Sequence, residues 1–485
     1  MTPEWAKDAV FYQIFPDRFA KSAHLAKPGG LEPWDAPPTV HGYKGGDLAG
    51  VREKLDYLQD LGITALYFCP LFQSASNHRY HTHDYYRIDP LLGGEEAFDQ
   101  LIEDAHRRGM RVVLDGVFNH SSRGFFQFND ILENGRSSAY IDWFTVNEFP
   151  PNAYDHDRPA GYAAWWGLHA LPKFNVHNPQ VREYLMNVAE YWIRRGADGW
   201  RLDVAEEIAA PGFWEEFRNR VKAINPEAYI VGEIWRMAPE WLHGDRFDAT
   251  MNYPLTESIL AFLTNGLFDR KLIEGKGYNP AHPLDARGLA NRIGELLRAY
   301  PWDVTLAQLN LLDSHDTSRA LTICANRVDV LKLGTLLMFG LPGAPCVYYG
   351  DEIGLEGGMP DYDARRPFPW DNPERWNTDL RAHYQALIRL RRDNPSLRRG
   401  GVHLLHAEQD ALVFGRWFNE DRTIIAVNRA ETPLTVTVPL GDMSQGVSGW
   451  RSIFGTSSGV IRSDGSLLLK IGAREGLVLK PQYGG

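Results

Sequence analysis

The sequence predicts a parallel (β/α)8 barrel, with an inserted loop domain after the third strand and a C-terminal antiparallel β-sandwich domain. Eight short apolar runs recur along the chain, and amphipathic stretches lie between several of them. Polar residues follow nearly every run, as they do where barrel strands end at a shared active-site face. This second observation favours a barrel over a large doubly wound sheet, which the alternation alone would also allow.

The apolar runs give the expected strands, because short runs of this kind are typical of strands buried on both faces. We expect the barrel strands at Val10–Phe15, Ala65–Cys69, Arg111–Phe118, Gly199–Val204, Ala228–Ile234, Phe247–Asn252, Leu306–Leu312 and Ala344–Tyr349. We expect helices at Leu48–Leu61, Ala97–Arg108, Val181–Arg195 and Phe213–Ile224.

A long irregular stretch follows the third strand and is crowded with aromatic residues. A loop of this length inside a compact domain is usually functional or forms a small domain of its own. Its neighbouring Trp165 and Trp166 fit either a small local core or a functional role. The predicted domains are therefore a barrel at residues 1–120 and 172–394 with an inserted loop domain at 121–171.

The last part of the chain has a different pattern. Leu434, Val436 and Val438 alternate with threonines, and Asp464-Gly465 is typical of a tight hairpin turn. We therefore predict a C-terminal β-sandwich domain at residues 395–485.

Composition excludes several classes of partner. The 485 residues carry a formal net charge of -11 with a pI near 5.8, which argues against nucleic acid or an anionic membrane as the main partner. The three cysteines lie in apolar runs without metal-ligand spacing, so we expect buried free thiols. No signal peptide or membrane-spanning segment is recognisable, and we expect a cytoplasmic protein.

Three acids each close a short apolar run: Asp203, Glu233 and Asp316. A carboxylate at the end of a buried strand is costly to desolvate unless it has a task or a partner. Three of them around one cleft suit glycosidic bond cleavage, which needs a nucleophile, a proton donor and a further charge beside a cationic transition state. The alternative is structural ion pairing, of Asp203 with Arg201 and of Asp316 with Arg319.

Four motifs resemble the signature regions of the α-amylase family of glycoside hydrolases, in the family's order. They are Asp115–His120, Gly199–Asp203, Glu233–Trp235 and Leu312–Asp316. The runs at 171–175, 251–254 and 365–367 are similar to the neopullulanase and cyclomaltodextrinase branch. Members of that branch commonly begin with a separate β domain, whereas this chain begins with the barrel, so we expect a monomer or a weak dimer.

The resemblance implies roles for the three acids. Asp203 corresponds to the nucleophile, Glu233 to the general acid/base and Asp316 to the acid that holds the sugar hydroxyls. Arg201 lies two residues before Asp203 on the same strand face and would keep it ionised. The proton on Glu233 would be favoured by the negative charge of Asp203 and by the apolar neighbourhood of Trp235.

Further residues are implied to bind substrate, because neutral imidazoles can bridge sugar hydroxyls and aromatic faces pack on glucose rings. These residues are His78, Tyr80, His120, Arg201, His315, Trp235, Glu206 and Arg366. Glu206 replaces the asparagine that the branch carries after its nucleophile. It would either orient an acceptor or pair with a nearby Arg or Lys.

No metal or other cofactor is expected to be required. Asn119 corresponds to a calcium ligand of true α-amylases, but Asn175 and Glu207 depart from that ligand set, and the run Ala20–Ala23 carries a lysine in place of hard oxygen ligands. A zinc site formed by His78, His81 and His83 is disfavoured because the rest of a ligand set is missing.

Together these observations predict a retaining hydrolase of α-glucosidic bonds. Its expected substrates are maltooligosaccharides and cyclic or branched dextrins, with mainly α-1,4 and some α-1,6 cleavage and some transglycosylation. The alternatives are an exo-acting α-glucosidase, an enzyme that is mainly a glucosyl or maltosyl transferase, or a non-catalytic carbohydrate-binding protein.

Overall fold

A computed structural model describes residues 2–457 and 459–483 of the chain. Eight parallel strands form the predicted barrel: β1 Phe11–Ile14, β2 Ala65–Phe68, β3 Arg111–Gly116, β4 Gly199–Leu202, β5 Tyr229–Gly232, β6 Ala249–Thr250, β7 Leu309–Asn310 and β8 Ala344–Tyr348. They pair in the order β6-β5-β4-β3-β2-β1-β8-β7, and a parallel bridge between Met251 and Leu309 joins the two ends. All eight predicted strands are present, with shorter bounds. The last residues of several runs turn into the loops above the barrel, whereas Leu306 and Ala307 belong to the helix Trp302–Ala307 and not to β7.

Helices lie between the strands and around them. They span Glu4–Asp8, Pro16–Phe19, Leu48–Glu53, Leu55–Leu61, Gly94–Arg107, Phe126–Asn134, Pro179–Arg194, Phe213–Ile224, Tyr253–Thr264, Ala286–Ala299, Trp302–Ala307, Ala320–Ile323, Val328–Gly340, Asp361–Ala364, Thr378–Asp393 and Pro395–Arg399. The four predicted helices are present, but the first is divided at Lys54, whose φ of -105° and ψ of 6° interrupt it. Asn178 caps the helix Pro179–Arg194 by accepting a hydrogen bond from the Gln180 amide, and Pro179 occupies the first helical position.

Two apolar layers hold the barrel. Side chains such as Phe11, Tyr67 and Val231 fill its interior, and the alternate residues of the strands pack under the surrounding helices. This packing fixes the carboxyl ends of the strands as one rigid rim on which loop residues can be positioned.

The segment at 121–171 contains the helix Phe126–Asn134 and several isolated bridges, among them His120 with Lys173. Phe128 and Phe144 pack edge to face at 4.9 Å, so part of the segment has its own aromatic core. The domain boundaries at residues 120, 171 and 394 stay a prediction. Residues 1, 458, 484 and 485 of the predicted domains lie outside the described part of the chain.

The C-terminal part is antiparallel, as predicted. Its strands are β9 Gly401–Glu408, β10 Ala411–Phe418, β11 Asp421–Asn428, β12 Leu434–Val438, β13 Gly449–Phe454, β14 Gly459–Ile461, β15 Leu467–Ile471 and β16 Glu475–Gln482. They form one continuous sheet in the order β9-β10-β11-β16-β13-β14-β15-β12, and contacts of β12 with β10 and of β15 with β11 fold it around its own core. Gly465, with a φ of +79°, lies in the turn between β14 and β15.

The three cysteines are buried and unbridged, as the sequence predicts. Across residues 2–457 and 459–483, none of the helices combines the length and the apolar character needed to cross a bilayer.

Candidate active site

A cavity of about 590 Å³ opens at the carboxyl ends of the barrel strands. Its lining residues come from the loops after β2, β3, β4, β5, β7 and β8 and from the segment that precedes the helix Ala286–Ala299. They are His78, Tyr80, His81, His120, Trp165, Trp166, Leu168, Leu171, Asp203, Val204, Glu206, Glu207, Glu233, Trp235, Gly275, Lys276, Gly277, Asp316, Asp361 and Arg365. The three predicted acids therefore share one cavity.

A single buried guanidinium group joins three carboxyl groups at the base of this cavity. Arg201 Nη1 lies 2.8 Å from Asp203 Oδ1 and 2.9 Å from Asp115 Oδ1, and Nη2 lies 3.0 Å from Glu233 Oε2. The predicted ion pair between Arg201 and Asp203 is thus present, but it is one contact within a cluster of three acids. One positive charge cannot neutralise three carboxylates, so the cluster favours keeping a bound proton.

Burial raises the pKa of the Asp203 carboxyl well above its usual range, and Glu233 and Asp115 act in the same direction. Arg201 opposes this shift but does not outweigh burial, so the expectation that Arg201 alone keeps Asp203 ionised is wrong. Burial likewise raises the pKa of Asp115 to about 6, against the effect of Arg201. Asp203 and Asp115 both contact Arg201 Nη1, so protonation of one carboxyl affects the other, and burial favours the protonated form of each.

The first prediction concerns pH. If Asp203 must be ionised to react, its raised pKa places the acid limb of the kcat/KM profile above the value of about 3.9 of an unperturbed aspartate. Initial rates on maltotriose between pH 3 and 9 measure this limb, with buffers matched in ionic strength. An acid limb at or below pH 4 would contradict the account of the cluster.

The backbone amide of Val204, the residue after Asp203, donates a hydrogen bond to Glu233. Val204 has a φ of +39°, a left-handed conformation that is strained for a β-branched residue. Its amide donates to Glu233 Oε2 at 2.8 Å, and Trp235 Nε1 donates to Glu233 Oε1 at 3.0 Å. The Trp235 ring is itself fixed by stacking on Tyr253 at 3.7 Å. Both oxygens of Glu233 are therefore held in defined positions.

Asp316 is positioned by a second network. His315 Nε2 lies 3.1 Å from Asp316 Oδ2 and 2.6 Å from the Tyr80 hydroxyl, and Gln13 Nε2 donates to His315 Nδ1 at 2.8 Å. Arg365 Nη2 lies 3.3 Å from Asp316 Oδ1. Because Gln13 donates to Nδ1, the proton of the neutral imidazole is on Nε2, which faces Tyr80 and Asp316. The ring of Tyr80 lies parallel to that of His315 at 5.4 Å.

The site histidines are neutral. Burial lowers the pKa of His120 to about 3 and that of His81 to about 4, and it lowers the pKa values of His78 and His315 well below their usual range. His120 Nε2 is buried and has no hydrogen-bond partner among the described residues. A buried ring nitrogen without a partner at the wall of a cavity is well suited to a ligand hydroxyl.

The aromatic residues of the inserted segment extend the cavity wall outward. Trp165 stacks on His120 at 5.4 Å, and Trp166 stacks on Trp165 at 4.5 Å. Trp166 is 75% exposed and has a φ of +49°. A flat indole that is exposed and held in a strained backbone suits a ligand-stacking surface better than a core position.

Three of the predicted substrate-binding residues do not line the cavity. Arg201 and His315 are fully buried behind its wall, where they contact the lining acids. The third is Arg366, which pairs with Asp363 at 2.8 Å and lines a separate surface cavity. Arg365, which comes directly after the helical turn Asp361–Ala364, lines the cavity instead of Arg366. Arg319 pairs with Asp351 at 2.8 Å, so the alternative ion pair between Arg319 and Asp316 is wrong.

Glu206 lies at the cavity wall and also forms an ion pair, with Arg236 at 3.1 Å. Both predicted alternatives thus remain compatible with its position. The pair is half exposed, so it contributes little to stability.

The second prediction separates these two roles. If Glu206 orients an acceptor, Glu206→Asn changes the ratio of transfer to hydrolysis products on maltotriose by roughly threefold or more, while donor consumption changes far less. Chromatography of early products measures the ratio. Glu240→Gln, which removes the other acid paired with Arg236, is the matched control. An unchanged ratio of transfer to hydrolysis products would show that Glu206 only forms the ion pair with Arg236 and does not orient an acceptor.

The described side chains do not form a metal-binding cluster. Among residues 2–457 and 459–483, no group of three or more His, Cys, Asp or Glu side chains could hold a metal ion. In the loop after β1, where the sequence lacks a calcium-binding run, the Lys27 ammonium group lies 2.8 Å from Asp47, and Asp47 also accepts a hydrogen bond from the Ser22 amide. A lysine thus already supplies positive charge there.

The third prediction follows from this arrangement. We expect EDTA to leave both the rate on maltotriose and the melting temperature unchanged, because no described ligand set would lose an ion. Activity and thermal unfolding are measured before and after chelation and after calcium is added back. A loss that calcium restores would contradict the prediction.

Sequence reasoning missed several residues of the site. Asp115 is the acid of the first motif, but the motif does not indicate its contact with Arg201. Arg365 directly precedes Arg366, and the sequence alone does not show which of the two arginines faces the cavity. Asp361 lies four residues before Arg365, at the start of the helical turn Asp361–Ala364, and no motif marks it. Lys276 gave no signal, because a lysine between two glycines in a loop is typical of a solvated turn.

The chain is similar to known carbohydrate-active proteins along most of its length. The family model for the α-amylase catalytic domain matches residues 13–400. The cyclomaltodextrinase of Geobacillus thermopakistaniensis is 43% identical over 442 residues, which cover 90% of this chain and 71% of that protein. Neopullulanase 2 of Thermoactinomyces vulgaris is 41% identical over 485 residues, which cover 99% of this chain and 78% of that protein. The crystal structure of the debranching enzyme of Nostoc punctiforme has a TM-score of 0.91 at 47% identity, with 99% of both chains covered.

Proposed function

Because this chain belongs to the α-amylase family of glycoside hydrolases, we propose that its cavity cleaves α-glucosidic bonds with retention of configuration, with Asp203 as nucleophile and Glu233 as general acid/base. One observation carries the assignment: Arg201 contacts both carboxyl groups, at 2.8 Å and 3.0 Å. A shared guanidinium keeps the two acids close, and the retaining mechanism needs such a close pair.

In the first step, the Asp203 carboxylate attacks the anomeric carbon while Glu233 gives its proton to the departing glycosidic oxygen. The bond between carbon and leaving group breaks as the ester bond to Asp203 forms, so charge and protons balance. Asp316 would hold sugar hydroxyls near the anomeric centre, and the neutral His315 would fix the position of Asp316 from behind the cavity wall. The hydrogen bonds of Asp316 with these hydroxyls raise the rate only as far as they strengthen in the transition state.

In the second step, ionised Glu233 takes a proton from water, and the resulting nucleophile releases the sugar from Asp203. A sugar hydroxyl can replace water in this step, which gives transglycosylation. Glu206 and Trp166 lie where the cavity opens, and we assign them to the acceptor and to the outer part of a bound chain. His120, whose Nε2 lacks a partner among the described residues, would bond a sugar hydroxyl at the base.

We propose maltooligosaccharides and cyclic or branched dextrins as substrates. The similarity to proteins named cyclomaltodextrinase, neopullulanase 2 and debranching enzyme supports α-1,4 and α-1,6 linkages. The test is a panel of maltotriose, a cyclodextrin and pullulan with mapped products and their anomeric configuration. Cleavage of the cyclodextrin favours the proposal over an exo-acting α-glucosidase, and dominant transfer products would favour a transferase. Failure to hydrolyse any member would favour a carbohydrate-binding protein.

The assembly state and the location stay predictions. We expect a monomer or a weak dimer by sedimentation, and a cytoplasmic location by cell fractionation. The carbohydrate substrate is the proposed partner.

A further inference from the structure

The segment between the helices Tyr253–Thr264 and Ala286–Ala299 contributes the part of the cavity wall between the loops after β5 and β8. Its tip, Gly275, Lys276 and Gly277, lines the cavity directly. The strand order of the barrel explains this position, because the segment follows β6 in sequence and so rises between the β5 loop and the β7 and β8 loops.

The tip is held in a defined position from both sides. Tyr278 is buried and packs near Trp235, with ring centroids 5.9 Å apart. On the other side, the carbonyl oxygen of Leu272 accepts a hydrogen bond from Ser318 Oγ at 2.7 Å. A Cβ at Gly277 would come within 2.9 Å of Trp235 Cβ, so this position requires glycine for the close approach. The tip is therefore a fixed element of the wall.

Lys276 reaches across the wall to the β8 loop. Its Nζ lies 2.6 Å from Asp361 Oδ1, and Lys276 keeps only 12% of its side chain exposed. Arg365 continues the contact, 3.7 Å from Asp361 and 3.3 Å from Asp316. A continuous line of alternating charges thus runs from the tip to the third acid of the site.

We propose that the ion pair between Lys276 and Asp361 is a barrier that limits how many glucose units fit on the Asp316 side of the scissile bond. This inference deepens the proposed function and rests on it. A neutral sugar chain that passes this point must separate two partly buried charges and can offer them only hydroxyl groups in exchange. The barrier therefore selects short donor units.

The experiment uses the full-length protein and maltoheptaose labelled at its reducing end. Unlabelled early products then come from the donor side, and their lengths report how many units the donor side holds. Wild type, Lys276→Ala, Lys276→Met and Lys276→Arg are compared, with Lys271→Ala as the matched control, because Lys271 is an exposed lysine of the same segment that lies outside the cavity. Melting temperatures show whether each variant is folded.

Wild type is expected to release short unlabelled units. Both Lys276→Ala and Lys276→Met are expected to raise the share of unlabelled products of three or more units by at least about threefold. Lys276→Arg keeps the ion pair and the wild-type lengths, and so does Lys271→Ala.

Two results would overturn the inference alone: active wild type with unchanged product lengths in both charge-removing variants, or a lower kcat/KM with unchanged lengths, which would make Lys276 a substrate contact. A third result would also contradict the inference: Lys276→Met releases short products like wild type, whereas Lys276→Ala releases longer ones. The size of the side chain, and not the ion pair, would then set the limit. A wild type that cleaves no α-glucan would instead overturn the proposed function.

Discussion

Asp203→Asn is expected to lose at least roughly a thousandfold in kcat on maltotriose while the folded protein still binds the oligosaccharide. The amide keeps the shape and the contact with Arg201 but cannot form the glycosyl-enzyme bond. Initial rates and calorimetric titration with maltotriose measure the two effects separately. A variant that kept a tenth of the wild-type rate would show that Asp203 is not the nucleophile.

Asp248→Asn is the matched control for this prediction. Asp248 is also a buried acid, and it contacts Arg218 at 2.8 Å and Lys222 at 2.9 Å beside the amino end of β6. Its loss should lower the melting temperature through a broken buried ion pair, while turnover per folded molecule stays near that of wild type. Loss of a buried charge is thereby distinguished from loss of the nucleophile.

The kcat of Glu233→Gln on maltotriose is expected to be lower than that of wild type by a similar factor, roughly a thousandfold. The reason is that a glutamine cannot protonate the glucoside leaving group. Maltosyl fluoride, whose fluoride leaves without a proton, should be consumed far faster than maltotriose by this variant. The ratio of the two rates is the readout, and it isolates the acid role from general damage to the site.

Equal losses of Glu233→Gln on both substrates would contradict the acid role. Such a result would point to a positioning role, since Glu233 also accepts hydrogen bonds from the Val204 amide and from Trp235. Added azide provides a further check, because a strong nucleophile that needs no base should accelerate release of the sugar from the variant's glycosyl-enzyme.

The barrel was predictable because its strands are apolar on both faces and end in polar residues. The bounds were less predictable, and β6 and β7 retain only two residues each. The residues after β6 and β7 continue as buried loop, and Leu306 and Ala307 before β7 end a helix. Periodicity in so short an apolar run cannot separate these states from a strand end. The family assignment, read from four motifs, is confirmed by the match over residues 13–400.

The site was predictable where a residue closes a strand and less so where it lies in a loop. Asp203 and Glu233 follow β4 and β5 directly, so the barrel geometry fixes their direction. The helical turn Asp361–Ala364 places Arg365, and not Arg366, at the cavity. Lys276 lies at the cavity in a segment held by the contacts of Tyr278 with Trp235 and of Leu272 with Ser318. Such long-range positioning leaves no pattern in the local sequence.

The most direct test of the central claim is covalent trapping of the nucleophile. Wild type is incubated with 5-fluoro-α-maltosyl fluoride, which slows release of the glycosyl-enzyme, and the digested protein is mapped by mass spectrometry. We predict one 5-fluoromaltosyl adduct, on Asp203 in the peptide that continues β4, and none in Asp203→Asn. A label on Glu233 or another residue, or complete turnover of the reagent with inversion and without an adduct, would contradict the account.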